Sequence, residues 1–265
     1  MSRPPSRLGN LSRHRDLAVA GGVAGWILGV LVLDAGAGNW QQHGLGLATW
    51  VLLATLLRRE LVTVRLQVAV AVIFATWIEY TFAGQLGVYT YRLHNIPAFV
   101  PPGHGLVYLG ALALGRSALF RSRRRLVLGT VLAAGGCWAL WGLLLAPRRD
   151  VLGALWFGCL VAFIVRGRAP LVYAGAFLLT AYLEVLGTAL GIWTWGLHDP
   201  TGLLSIGNPP SGVAGGYCFF DAAALALAPR LTALLSAATR GRLARRRLSW
   251  RADCRNDLTG AADRG

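Results

Sequence analysis

Lysine is missing from this chain: all 26 basic residues are arginine, beside abundant alanine, glycine and leucine. That pattern reflects a GC-rich, bacterial coding sequence and says nothing of function. Charge is scarce too, at 14% of residues, with only 11 acids in 265 positions. A soluble domain of this length carries about a quarter charged residues. That deficit, with 55% hydrophobic residues gathered into long blocks, excludes a water-soluble globule and leaves an integral membrane protein. Cysteine is sparse, with Cys137, Cys159 and Cys218 in apolar blocks and Cys254 near the end. Without a Cys-x-x-Cys pair these read as buried structural thiols rather than as metal or redox ligands. No phosphate loop, zinc motif, nucleophile elbow or dinucleotide fingerprint is present, so no cofactor and no metal is expected.

Against a hydrocarbon core about 30 Å thick, which needs roughly 20 apolar residues per helix, the blocks predict spans at 17–33, 40–57, 66–82, 104–120, 126–146, 151–165, 170–195 and 212–235. The expected fold is all-α, a polytopic transmembrane helix bundle of about eight spans. The second and sixth blocks are short, and a seven-span arrangement with one of them re-entrant is the competing reading. The first block lacks a convincing small-residue cleavage pattern after it and is expected to be retained as a span.

Arginine placement orients the chain. With the N-terminus in the cytoplasm, Arg3 to Arg15, Arg58 to Arg65, Arg121 to Arg125, Arg166, Arg168 and the tail arginines from Arg240 onward share one side. Only Arg92, Arg148 and Arg149 remain opposite, the bias expected because basic loops resist translocation. The net charge of +15 therefore lies at helix ends, where anionic headgroups attract it. Membrane lipids, not nucleic acid, are the expected partners, in a cell membrane with both termini cytoplasmic. Nothing in the pattern assigns an oligomeric state.

Two segments are near copies: Leu86-Gly87-Val88-Tyr89-Thr90-Tyr91-Arg92-Leu93-His94-Asn95 and Leu190-Gly191-Ile192-Trp193-Thr194-Trp195-Gly196-Leu197-His198-Asp199. Each follows an acid in an apolar run, Glu79 or Glu184, and each precedes a Pro-Pro pair, Pro101-Pro102 or Pro209-Pro210. A shift of four spans preserves orientation, so two parallel four-helix repeats are expected, at 17–120 and 126–235. A basic inner loop at 121–125 joins them, flanked by a basic tail at 1–16 and an Arg-rich tail at 236–265.

An acid retained inside a membrane faces the protein interior, holds a partner or carries a proton. Glu79, Glu184 and Asp221 are thus the candidate catalytic residues. Asp221 has no acidic counterpart in the first half, where His104 and Arg116 are the nearest polar features, and Arg116 must snorkel or pair with an acid. Tyr89, Tyr91, His94, Trp193, Trp195, His198, Asn208 and Tyr217 are candidates for the substrate wall. The competing readings are structural: acids that cross-bond helices, an outer aromatic belt, and histidines satisfied at the interface.

The run Glu184-Val185-Leu186-Gly187-Thr188-Ala189-Leu190-Gly191-Ile192-Trp193-Thr194-Trp195 resembles the acid-and-glycine motif of carotenoid-biosynthesis membrane proteins that include the bisanhydrobacterioruberin hydratases. The resemblance covers two short segments and departs from that family at His94-Asn95, His198-Asp199 and Gly207-Asn208-Pro209-Pro210. It implies cofactor-independent hydratase, lyase or isomerase chemistry on an apolar isoprenoid or other long-chain lipid, with buried carboxyls as acids and aromatic faces stabilising cationic character. A small proton-coupled transporter and a non-catalytic membrane scaffold are the alternatives; a transporter draws on the same repeats and buried acids.

Overall fold

The computed structural model describes residues 7–237, with side chains from His14 onward, and these are folded almost entirely as helices. In chain order they are α1 (Arg7–Asp34), α2 (Asn39–Leu57), α3 (Val62–Glu79), a π-helical turn (Tyr80–Gln85), strand β1 (Tyr89–Tyr91), α4 (Val100–Arg116), short α5 (Ala118–Ser122), α6 (Arg124–Leu144), α7 (Val151–Arg166), α8 (Pro170–Ala189), strand β2 (Trp193–Trp195) and α9 (Ala214–Ala237). Five helical stretches are long and apolar enough to cross a membrane: His14–Asp34, Val62–Gln85, Arg124–Leu144, Pro170–Ala189 and Ala214–Ala237. This is an all-α membrane protein. α7 is apolar but has only 16 residues, and α4 has 17. Helix α1 starts within the segment expected to be a tail, and the expected Arg-rich tail lies outside the described residues beyond Ala237.

Helices α4 and α8 form the centre. From Gly105 to Ala113 every residue of α4 is buried, and α8 is buried without a break from Val172 to Phe177. A helix apolar on all sides can be wrapped by protein or by lipid; these two are wrapped by protein over those stretches, while Leu178 and Val185 of α8 stay exposed. The main core joins them to α1 and α3 through Val23, Leu31, Val68, Leu109 and Leu179. A smaller cluster under α6 and α7 contains Val131, Leu160 and Phe177. Cys218 is buried as expected, but Cys159 is only partly covered and Cys137 is exposed, because Cys137 falls on the outward side of α6.

The strands close one end of the bundle. β1 and β2, the two copies of the repeated motif, pair antiparallel with Tyr89 opposite Trp195, Thr90 opposite Thr194 and Tyr91 opposite Trp193. Equivalent bonds flank the ladder on both sides: Arg92 N–H donates to Ile192 at 2.9 Å, and Gly196 N–H to Val88 at 2.7 Å. Each chain enters its strand through a glycine of positive φ, Gly87 at 61° and Gly191 at 68°, a left-handed conformation that lets a helix end and turn away. The first copy has one residue more between acid and glycine, from Glu79 to Gly87 against Glu184 to Gly191. The π-helical turn absorbs it, since a π turn is a one-residue insertion in an α-helix.

Arg92 and Arg148, two of the three exceptions to the arginine bias, bracket this end. Arg92 donates to the carbonyls of Asp34 (2.6 Å) and Ala37 (2.5 Å), capping the end of α1. Arg148 donates to the carbonyls of Ile206, Trp195 (2.8 Å) and Gly196. At the opposite end, buried Glu60 receives Arg15 at 2.8 Å and Arg116 at 3.0 Å, and Arg116 also meets Asp16 at 3.2 Å.

Candidate membrane-embedded site

Beneath the strand pair lies a half-open cavity of about 400 Å³ with an almost wholly apolar wall. It brings together Glu79, Glu184, Tyr89, Tyr91, Trp193, Trp195 and Tyr217 from the expected site residues. Strand geometry explains the convergence. Alternate residues of a strand point to opposite faces, so Thr90 and Thr194 are exposed while Tyr91, Trp193 and Trp195 are buried.

The two glutamates are held differently. Glu184, near the end of α8, accepts both indole N–H groups, from Trp193 and Trp195, each at 3.0 Å and both on Oε2. Among the described residues, no hydrogen bond reaches its Oε1. Glu79, the last residue of α3, is engaged at both oxygens. The Tyr91 hydroxyl donates to Oε1 at 2.6 Å, and His104 Nε2 lies 3.2 Å from Oε2. Burial, and then the Glu79 charge, push the Tyr89 and Tyr91 phenols well above the ordinary range, so both stay neutral hydroxyls.

Aromatic rings surround the acids. Tyr89 packs on Trp195 with centroids 4.5 Å apart, Tyr91 meets Trp193 edge-on at 6.0 Å, and Trp156 of α7 meets Trp195 at 5.9 Å. The His104 and Tyr217 rings are 5.5 Å apart. Such rings turn their negative faces or positive edges to a guest, and an array of them can accommodate a cation.

The remaining candidates lie elsewhere. Asp221 is buried in α9 off the cavity wall, with Oδ2 unpartnered. Tyr108, Tyr173, Tyr217 and Cys218 lie near it. His94, at φ 54°, lines a second hollow above the strands with Asn95 and Tyr80. His198 is exposed as well, and its backbone bridges to Ser205, so both repeated histidines lie at the surface and neither lines the main cavity. Asn208 acts on the backbone, its side-chain oxygen accepting the Trp195 N–H at 3.0 Å. Among the described residues no cluster of three His, Cys, Asp or Glu side chains could hold a metal ion.

Sequence reasoning missed His104 and Trp156 as wall residues. For His104 a signal existed: it follows Pro101-Pro102-Gly103, whereas Val213 follows Pro209-Pro210-Ser211-Gly212, and both residues line the cavity. No protein-family model, curated protein or solved structure matches the chain.

Proposed function

We propose that this protein is a membrane-embedded, cofactor-independent enzyme of the hydratase, lyase or isomerase type, acting on an isoprenoid or other long-chain lipid. The observation that carries the reading is the placement of two buried carboxyl groups, Glu79 and Glu184, in the wall of an otherwise apolar, aromatic-lined cavity. The cavity falls within the usual size range of small-molecule sites. An apolar wall has little to offer a hydrophilic solute, while a hydrocarbon chain gains by entering it. Phe74 and Phe219, both on the wall and both exposed on the outside of the bundle, mark a route from the lipid between α3 and α9. The resemblance to carotenoid-biosynthesis membrane proteins points to the same substrate class.

The cellular setting belongs to the same proposal. Eight spans in two parallel four-helix halves, α1 to α4 and α6 to α9, cross a bacterial cell membrane with both termini in the cytoplasm and the strand pair at the outer face. The arginine bias and the repeated motif support this arrangement.

A lipid extract of the purified protein tests the function. The expected result is a co-purifying isoprenoid or other long-chain lipid, depleted in the Glu184→Gln variant. Bulk phospholipid alone, together with acid-dependent uptake of a water-soluble solute into proteoliposomes, overturns the enzymatic reading in favour of a transporter.

A further inference from the structure

Two acids at equivalent positions of a repeated motif have acquired opposite surroundings. The difference lies in their partners. Glu184 is met by Trp193 and Trp195, and the residue after the following Pro-Pro-Ser-Gly run is Val213. Glu79 is met by Tyr91, the counterpart of Trp195, and by His104, the counterpart of Val213. Indole offers a donor and nothing else, whereas imidazole and phenol both donate and accept. The direct hydrogen-bond partners of Glu184 therefore cannot take a proton, whereas those of Glu79 can relay one.

The hydrogen-bond pattern also separates the oxygens. A neutral carboxyl group has one carbonyl oxygen that only accepts and one O–H that donates; an ionised carboxylate accepts on both. At Glu184 both donors converge on Oε2, the pattern of the carbonyl oxygen, which leaves Oε1 as the hydroxyl in a residue that forms part of the cavity wall. At Glu79 the partners are shared out, the Tyr91 hydroxyl donating to Oε1 and His104 Nε2 lying beside Oε2; with the proton of His104 on Nε2 both oxygens accept, the pattern of a carboxylate. The ionisable groups around the pair are Tyr89 and Tyr91 of β1, His104 of α4 and Tyr217 of α9, all on the same wall.

We propose that the two glutamates divide acid and base work: Glu184 presents a proton on Oε1 to the cavity, and Glu79, bonded to Tyr91 and His104, takes up the proton released in the second half of the reaction. The assignment rests on the enzymatic reading above. For hydration of a trisubstituted isoprenoid alkene, the Glu184 O–H breaks and its proton forms a C–H bond at the less substituted carbon, leaving a tertiary cation beside the aromatic rings. A water oxygen then bonds to the cation, and one of its protons passes to Glu79. Alkene and water give the tertiary alcohol. Return of the proton from Glu79 to Glu184 resets the site.

The assignment is testable without any substrate. N,N′-dicyclohexylcarbodiimide is lipophilic and adds the O–H of a protonated carboxyl across its N=C bond; the acyl group then migrates to nitrogen as a stable N-acylurea. Treating the full-length protein in its membrane and mapping the adduct by peptide mass spectrometry is expected to find label on Glu184 and not on Glu79. The Glu184→Gln variant loses that label, and Glu79→Gln retains it. His104→Leu removes one of the two partners that engage the Glu79 oxygens and brings label onto Glu79. Label on Glu79 in place of Glu184 in the unaltered protein, on both equally, or on neither overturns the division of roles. An unlabelled Glu79 in His104→Leu overturns the role given to His104. A negative lipid extract with the expected label map sinks the enzymatic reading alone.

Discussion

Thr90 and Thr194 stand directly opposite each other at the centre of the strand ladder, so the two copies of the motif meet each other and not some third element. Their side chains are exposed, and the pairs on either side, Tyr89 with Trp195 and Tyr91 with Trp193, supply the aromatic roof of the cavity. An antiparallel pairing of like with like is self-complementary, as at a two-fold axis. It carries both acids to one cavity, although 105 positions of sequence separate Glu79 from Glu184 (184 − 79).

Glu184→Gln retains a carbonyl oxygen for the two indoles and loses only the acid. We expect it to cost within about 1 kcal/mol of stability, with near-normal abundance in the membrane and loss of the cellular phenotype. Asp221 lies off the cavity wall, so Asp221→Asn is expected to keep both abundance and phenotype. Loss of abundance together with activity in either variant would assign that acid to structure.

Gly187 lies against the Trp193 ring, and a Cβ there would collide with its benzo edge. Gly187→Ala should displace the indole, break its bond to Glu184 and destabilise the protein by about 1–3 kcal/mol, the usual range for overpacking. A thermal melt in detergent measures this. An unchanged midpoint would show that the ring can move aside freely.

Asp150 is buried and accepts backbone N–H groups from Gly153 (3.0 Å), Gly207 (2.8 Å) and Ser211 (2.6 Å), tying the start of α7 to the loop before α9. In Asp150→Asn an amide NH₂ would replace one oxygen and face a backbone donor. The expected loss is about 2–3 kcal/mol, as for a hydrogen bond to a charged group. Urea or thermal unfolding of the variant in detergent reads it directly, and a wild-type curve would remove Asp150 from the stabilising set.

The orientation can be checked by thiol labelling in a cysteine-free background. Leu86 and Leu203 are exposed at the strand end, and Arg123 is exposed at the other end. A membrane-impermeant maleimide should label Leu86→Cys and Leu203→Cys in intact cells, but Arg123→Cys only after permeabilisation. The opposite pattern would invert the proposed orientation, and opposite signals from Leu86→Cys and Leu203→Cys would end the parallel-repeat proposal.

Much of the site was written in local pattern. The acids, the aromatic triplets Tyr89-Thr90-Tyr91 and Trp193-Thr194-Trp195, and their repetition are visible as residue types at fixed spacing. Their burial was legible as well, because a carboxylate in an apolar run has no low-cost place except a protein interior. What Arg92 and Arg148 do was not legible: by charge count they oppose the bias, and only folding shows their guanidinium groups spent on backbone carbonyls.

The sequence by itself determined the solvent, the helical class and the identity of the paired acids, since each depends on hydropathy and composition summed over a helix length, which no tertiary contact alters. Tertiary structure alone decided that the repeated segments pair with each other, that His104 joins Glu79 while two indoles share one oxygen of Glu184, and that Asp221 lies off the cavity wall. These are contacts between helices far apart in the chain. They follow from how α3, α4, α8 and α9 cross in space, and that crossing is set by packing of the whole bundle, which no local window contains.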